Sequence, residues 1–224
     1  MAKQAVKSAL KEPTLDRSCM RDRIREMLVA RILDGKYPAG TQLKELALAR
    51  EFNVSQAPIR EALRELEGSG LVTSERYRGT RVRGADAQEM RESYELRATL
   101  EVRAVELAIP CAPEVIADLE RYLRDMADAV ARDSERYIDA AVRFHRRLTE
   151  ASGNRVFVTV WDSLHFDIRG RIVLRRMVAR GSSLAPQVKM HRELLDRIRA
   201  KDVPGAQQVM RKVFARVDDA FRRD

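Results

Sequence analysis

Ser55, Gln56, Ala57 and Arg60 open one amphipathic segment, and their chemistry is that of hydrogen bonding to nucleic acid. Arg60 can bind guanine bidentately or grip a phosphate, and Gln56 can pair with adenine. Ser55 and the first amides of a helix suit a phosphate oxygen. At about 100° per residue, Gln56, Arg60 and Arg64 share a sector of roughly 80° beside an apolar stripe of Ile59, Ala62, Leu63 and Leu66. One side of the segment can therefore face DNA while the other faces a core. Lys44, near the start of the preceding short helix, adds a backbone contact. Farther along, Arg76, Arg78 and Arg81 surround Gly79, which lets the chain approach a duplex closely, so this tip is expected in or along the minor groove. A solvated basic hairpin is the alternative.

The remaining reactive side chains are less organised. A metal-dependent hydrolase built on His145, His165 and His191 would need a signature, and the sequence has no HExxH, phosphate loop or nucleophile elbow. Cys19 and Cys111 belong to no pair motif, which suits a reducing cytoplasm. Residues 1–14 are basic but lack the apolar core of a signal peptide, and no later run approaches the length of a membrane span. A cytoplasmic protein without a membrane partner is expected.

The elements that must position these residues follow from periodicity and breakers. A first helix is predicted over 16–33, with Ile24, Met27, Leu28 and Ile32 on one face. Pro38 and Gly40 mark a turn before a short helix from about 44 to 52, with Leu48, Ala49 and Phe52 inward. Ser55 can cap the next helix, which runs to about residue 67 and stops at Gly68-Ser69-Gly70. Residues 71–74 and 80–83 then read as a two-stranded wing. Helix, helix, helix, hairpin is the winged helix-turn-helix order. Beyond Gly84 helical periodicity holds, and six helices are predicted over 86–109, 113–132, 134–151, 155–180, 184–200 and 203–222, an antiparallel bundle.

The expectation is thus a mainly α chain in three parts: a flexible tail over 1–14, a winged helix-turn-helix over 15–84, and an all-helical domain over 85–224. Charge agrees with this division. Residues 1–84 hold 17 Lys and Arg against 11 Asp and Glu, whereas the other 140 residues hold 26 against 23, so most of the net +9 lies where phosphates would be met.

The run from Leu43 to Val72, with Val54-Ser55, Pro58-Ile59-Arg60-Glu61-Ala62-Leu63, Leu66-Glu67 and Gly70-Leu71, resembles the GntR-type winged-helix regulators. Family members often carry arginine where this chain has Leu46, and Arg-Thr where it has Gln56-Ala57, which implies a departure from the common operator. Tyr94-Glu-Leu-Arg97 with Glu101, Phe144-His145, Ala151-Ser-Gly-Asn154 and Met190-His191-Arg192 resemble the FadR-subfamily effector domain. That resemblance implies a DNA-binding transcription regulator rather than an enzyme, a repressor in the first instance. It also implies a homodimer on a double-stranded operator and a helical bundle holding a small carboxylate effector. A constitutive DNA binder without an effector is the alternative.

For the effector, the resemblance points to Arg97, His145 and His191, with Arg169 and Arg171 as weaker candidates; an ion pair between Arg97 and Glu101 is the competing reading of the first. Many members of the subfamily also bind a divalent metal such as zinc or nickel through an Asp and three His. Here His145 and His191 fill two of those positions, but the others are Ala141 and Val213. Asp139 lies about 240° from His145 on an ideal helix, so no cofactor is expected. Asn154 is expected to cap a helix rather than touch ligand.

Overall fold

The computed structural model describes residues 17–75, 78–83, 86–216 and 220. The head begins with α1 (Arg17–Leu33), β1 (Gln42–Leu43), α2 (Glu45–Phe52) and α3 (Gln56–Gly68), and ends with β2 (Val72–Glu75) and β3 (Gly79–Val82). The two wing strands pair antiparallel, with Val72 opposite Val82 and Glu75 opposite Gly79. A third strand extends the sheet in the order β1-β3-β2. Its two residues lay in what reads from sequence as a plain turn; Gln42 and Leu43 pair with Arg81 and Thr80, and only Leu43 is buried. A two-residue strand is too short to show alternation, so its pairing comes from tertiary context.

The head's core closes where the stripe predicts. Ile24, Leu28, Ile59, Ala62 and Leu66 are fully buried, with Leu63, Leu48 and Val82 almost so. Met27 is the exception on α1: it is 40% exposed, and Val29 turns inward instead. Ser55 stands at the N-cap of α3, yet its side chain makes no capping bond. The tight turn between α2 and α3 is set by Asn53, whose φ of 52° places it in the left-handed region that asparagine tolerates.

The second part is all helical: α4 (Ala87–Ala108), α5 (Pro113–Ala129), α6 (Ser134–Ala151), α7 (Arg155–Ser163), α8 (Phe166–Ala179), α9 (Ala185–Arg199) and α10 (Val203–Phe214). α6 runs through its middle, against α4, α5, α7 and α8, and α9 and α10 pack together on α5 and α4. Predicted tail residues, the Arg76 position of the wing tip and the end of the last helix lie outside the described residues.

The single long helix expected over 155–180 is two helices. His165 breaks it, with φ at 51° between α7 and α8. Apolar residues continue in step across the break, so periodicity alone does not reveal it. Two contacts hold the kink in place. Arg169 Nε donates to the Leu164 carbonyl at 3.0 Å, satisfying an orphaned helix end, and the His165 ring lies over Gly68 at the end of α3.

Head and bundle are joined by ion pairs. Arg25 of α1 bridges Glu65 of α3 at 3.0 Å and Asp167 of α8 at 3.5 Å. Arg175 of α8 reaches Asp34 beyond α1 at 3.3 Å and Glu135 of α6 at 2.5 Å. Glu89 of α4 binds Arg83 after the wing and Arg169 of α8, both at 2.9 Å. Gly70, at φ +79°, leaves room for that carboxylate, since a Cβ there would stand 2.8 Å from Glu89 Oε1.

Asn154 caps α7, its side-chain oxygen accepting from Val156 N at 3.0 Å and Phe157 N at 3.4 Å. Asn154→Ala should therefore lower stability by about 1 kcal/mol, or roughly 2–4 °C in Tm for a chain of this size, in thermal unfolding followed by circular dichroism.

Candidate nucleic-acid interface and helical-domain cavity

The exposed face of α3 gathers Gln56, Ala57, Arg60 and Arg64, with Ser55 beside it and Lys44 at the start of α2. This is the constellation that the sequence places on one helical sector. Arg60 is not loose within it. Its Nε lies 3.1 Å from both carboxylate oxygens of Glu45, and its Nη2 lies 2.8 Å from one of them. In the wing, Gly79 takes a positive φ of 75°, and Arg78 pairs with Glu75 at 3.3 Å while remaining open to solvent. Arg81 is exposed, but one of its nitrogens already donates to the Gly40 carbonyl at 3.1 Å, tying the wing to the loop before β1.

The bundle holds a small, partly open cavity of about 50 Å³. Arg97 of α4, Tyr137 and His145 of α6, Gly170 and Met177 of α8, Gln187 and His191 of α9 and Phe214 of α10 line it. Helical spacing explains the grouping: Tyr137, Ala141 and His145 follow at four-residue steps on one helix, as Gln187 and His191 do on another. That spacing was the available signal for Tyr137 and Gln187, which sequence reasoning missed.

Arg97 and Glu101 form a buried pair, not the surface pair considered from sequence. Arg97 Nε donates to Glu101 Oε1 at 2.6 Å, and the two side chains are 3% and 1% exposed. The guanidinium sits among aromatic rings, 4.6 Å from the centre of Trp161 and 5.2 Å from that of Phe214. Burial pushes the Glu101 carboxyl up, but Arg97 and His145 outweigh it and hold the group below the usual carboxylate range. Burial likewise pushes the Arg97 guanidinium down, and Glu101 more than compensates.

The other Glu101 oxygen meets His145 Nδ1 at 2.5 Å, His145 Nε2 meets His191 Nε2 at 3.0 Å, and His191 Nδ1 meets the Gln187 carbonyl at 2.7 Å. With Glu101 ionised, three hydrogen bonds across two imidazoles require three N–H protons, so one ring is an imidazolium. Burial, together with His145, pushes His191 down to about 3.

The metal implied by resemblance does not fit these donors. The two Nε2 atoms engage one another, Glu101 is taken by Arg97 and His145, and Ala141 and Val213 line the cavity where a carboxylate and a third imidazole would be needed. Among the described residues no cluster of three His, Cys, Asp or Glu is arranged to hold a metal ion. His165 is remote from the pair, lodged against Gly68, so the three histidines form no joint centre. Arg169 also departs from expectation: it is spent on Glu89 and the Leu164 carbonyl and does not line the cavity. Arg171 binds Asp139 instead.

A helix-turn-helix with a basic exposed face and a wing, followed by a helical bundle around a polar-lined cavity, defines a DNA-binding regulator with a ligand domain. Residues 20–82 match the profile described as bacterial regulatory proteins, gntR family, and residues 92–216 match the FCD domain. The chain belongs to the GntR family of transcription regulators, in the branch that carries an FCD domain, and is not an enzyme. The "Probable D-xylose utilization operon transcriptional repressor" of Paenarthrobacter nicotinovorans is 29% identical over 192 residues, spanning 84% of this chain and 82% of that one. The gluconate operon transcriptional repressor of Bacillus licheniformis is 31% identical, spanning 68% of this chain and 63% of its own length. Escherichia coli McbR/YncC shares the fold, with a TM-score of 0.73 at 21% identity over 91% of this chain and 99% of that one. No helix among the described residues is long and apolar enough to cross a membrane.

The histidine pair carries a pH signature. Folding holds His191 near 3, below its ordinary 6.5, so the unfolded chain binds a proton that the folded chain refuses. The resulting stability is complete above pH 6.5 and is lost as pH falls toward 3, by at most about 1.4 kcal/mol per unit. Between pH 7.5 and 5.0 the parent should lose about 2 kcal/mol more than His191→Gln, measured by urea unfolding.

Proposed function

We propose that the protein is a cytoplasmic repressor that binds a pseudopalindromic operator as a homodimer. In this reading, a small hydroxylated carboxylate in the bundle cavity sets its hold on DNA. One helix-turn-helix offers few contacts, and twofold symmetry doubles them. Lys44, Ser55, Gln56, Arg60 and Arg64 meet the operator, with the wing residues Arg78, Gly79 and Arg81 alongside.

The observation that carries the effector reading is a pair of orphaned atoms. Tyr137 Oη and Gln187 Oε1 are buried with no hydrogen-bond partner among the described residues, and both residues line the cavity. Each such atom costs about 1–3 kcal/mol, which a bound molecule can recover. A carboxylate alone accepts from the phenol but offers nothing to an amide oxygen, so the ligand must also bring a donor, such as a hydroxyl. The cationic Arg97 supplies the counter-charge. Two relatives have names that refer to D-xylose and gluconate operons, which accords with a polyhydroxy ligand, and the second with an acid.

α8 supports the link to DNA, because it lines the cavity with Gly170, Val173 and Met177 and grips the head through Arg175 and Asp167. A ligand that favours one placement of α8 favours one placement of the reading heads, and only that difference in affinity can shift binding. Thermal shift with gluconate, glycerate and propionate tests this, alongside binding to an operator selected in vitro. The hydroxylated acids should stabilise the protein by about 2.7 kcal/mol at a hundred times their Kd and alter operator affinity, and Gln187→Leu should weaken them against propionate. No stabilisation by any acid, with operator binding unchanged, would make the protein a constitutive binder.

A further inference from the structure

We infer that Glu45 makes Arg60 a reader of guanine rather than a clamp on phosphate. A guanidinium has five N–H groups on two usable edges. Glu45 takes the side edge, engaging Nε at 3.1 Å and Nη2 at 2.8 Å. This leaves the end edge, one N–H of Nη1 and the outward N–H of Nη2, parallel and unengaged by Glu45. That edge matches the N7 and O6 acceptors of guanine in the major groove.

Location and charge favour the same role. Glu45 is the first residue of α2, and Arg60 is the fifth of α3, so the bond spans the two helices that form the reading unit. Arg60 remains 53% exposed, open to a groove. A carboxylate this close offsets the positive charge and repels a phosphate, which makes Arg60 a poor backbone ligand. Arg64, one turn further on the same face, has no carboxylate partner among the described residues and keeps its full charge for the phosphates. Holding Arg60 in place also removes rotamer freedom before DNA arrives, so less is lost on binding. Glu45 is thus a positioning residue, and it acts on specificity through Arg60. The competing role is a local one, a carboxylate that merely favours the first turn of α2.

The inference rests on DNA binding alone and is independent of the effector. The test is selection from a duplex library randomised over about 20 base pairs, room for two half-sites. It uses the full chain, Glu45→Gln, Glu45→Asp and Arg60→Lys, with thermal unfolding of each variant to confirm folding. The parent should select a guanine whose replacement weakens binding about tenfold or more.

In Glu45→Gln and Glu45→Asp that preference should fall below about threefold. Affinity for mixed-sequence DNA should hold or rise, and the salt slope should steepen by about 0.9 per head as Arg60 turns to a phosphate. Arg60→Lys, which lacks the planar fork, should weaken the same guanine preference. A preference for guanine that survives both Glu45 variants overturns the inference, as does a selected sequence with no position that depends on Arg60. If the parent selects no sequence at all, the operator reading fails with it.

Discussion

A carboxylate almost without access to water is the constraint on which the bundle is built. Glu101 could not be charged at that depth unless both oxygens were engaged, and Arg97 and His145 engage them. Each partner then needs its own surroundings: aromatic rings around the guanidinium, a second imidazole beyond the first, and the Gln187 carbonyl beyond that. Four helices are fixed in relation to one another by this chain, since Glu101 belongs to α4, His145 to α6 and His191 to α9, with Phe166 of α8 offering its carbonyl to Arg97 at 3.4 Å. The cavity exists beside it because Ala141 and Val213 are small where larger donors would fill the space.

The same polar economy extends to the joint between the two parts. Apolar packing runs through head and bundle as one buried cluster, and where the two meet a set of ion pairs centred on α8 adds to it. Such contacts are individually weak at a surface and gain strength where partly covered, as Arg175 and Arg169 are. A joint of this kind has two properties a regulator needs: it defines a resting geometry, and a modest free energy is enough to change it.

Much of this was legible in the sequence. The head was readable nearly residue by residue, because Ile59, Ala62, Leu63 and Leu66 are buried for the reason their spacing gives, and Gln56, Arg60 and Arg64 are exposed for the same reason. What escaped was decided by contacts between distant segments. Gln42 and Leu43 become a strand only because β3 lies alongside, and His165 breaks a periodic helix only because Gly68 and Arg169 accommodate the kink. Arg97 and Glu101 stand four residues apart, and spacing alone suggests a surface pair; nothing local announces that three other helices bury them. Arg169 ranked behind Arg97 in the sequence but stayed a candidate, and the position of Glu89 is what draws it away from the cavity.

Gly70 carries a consequence of its own. Its left-handed backbone lets the chain leave α3 and enter the wing, and its lack of a side chain leaves the space occupied by Glu89, which joins wing and bundle. A methyl group at this one position would meet two independent objections, one torsional and one steric. Substitution there would disturb the shape of the reading head and its attachment together, so the end of the recognition helix and the seam between the two domains share a single point of failure.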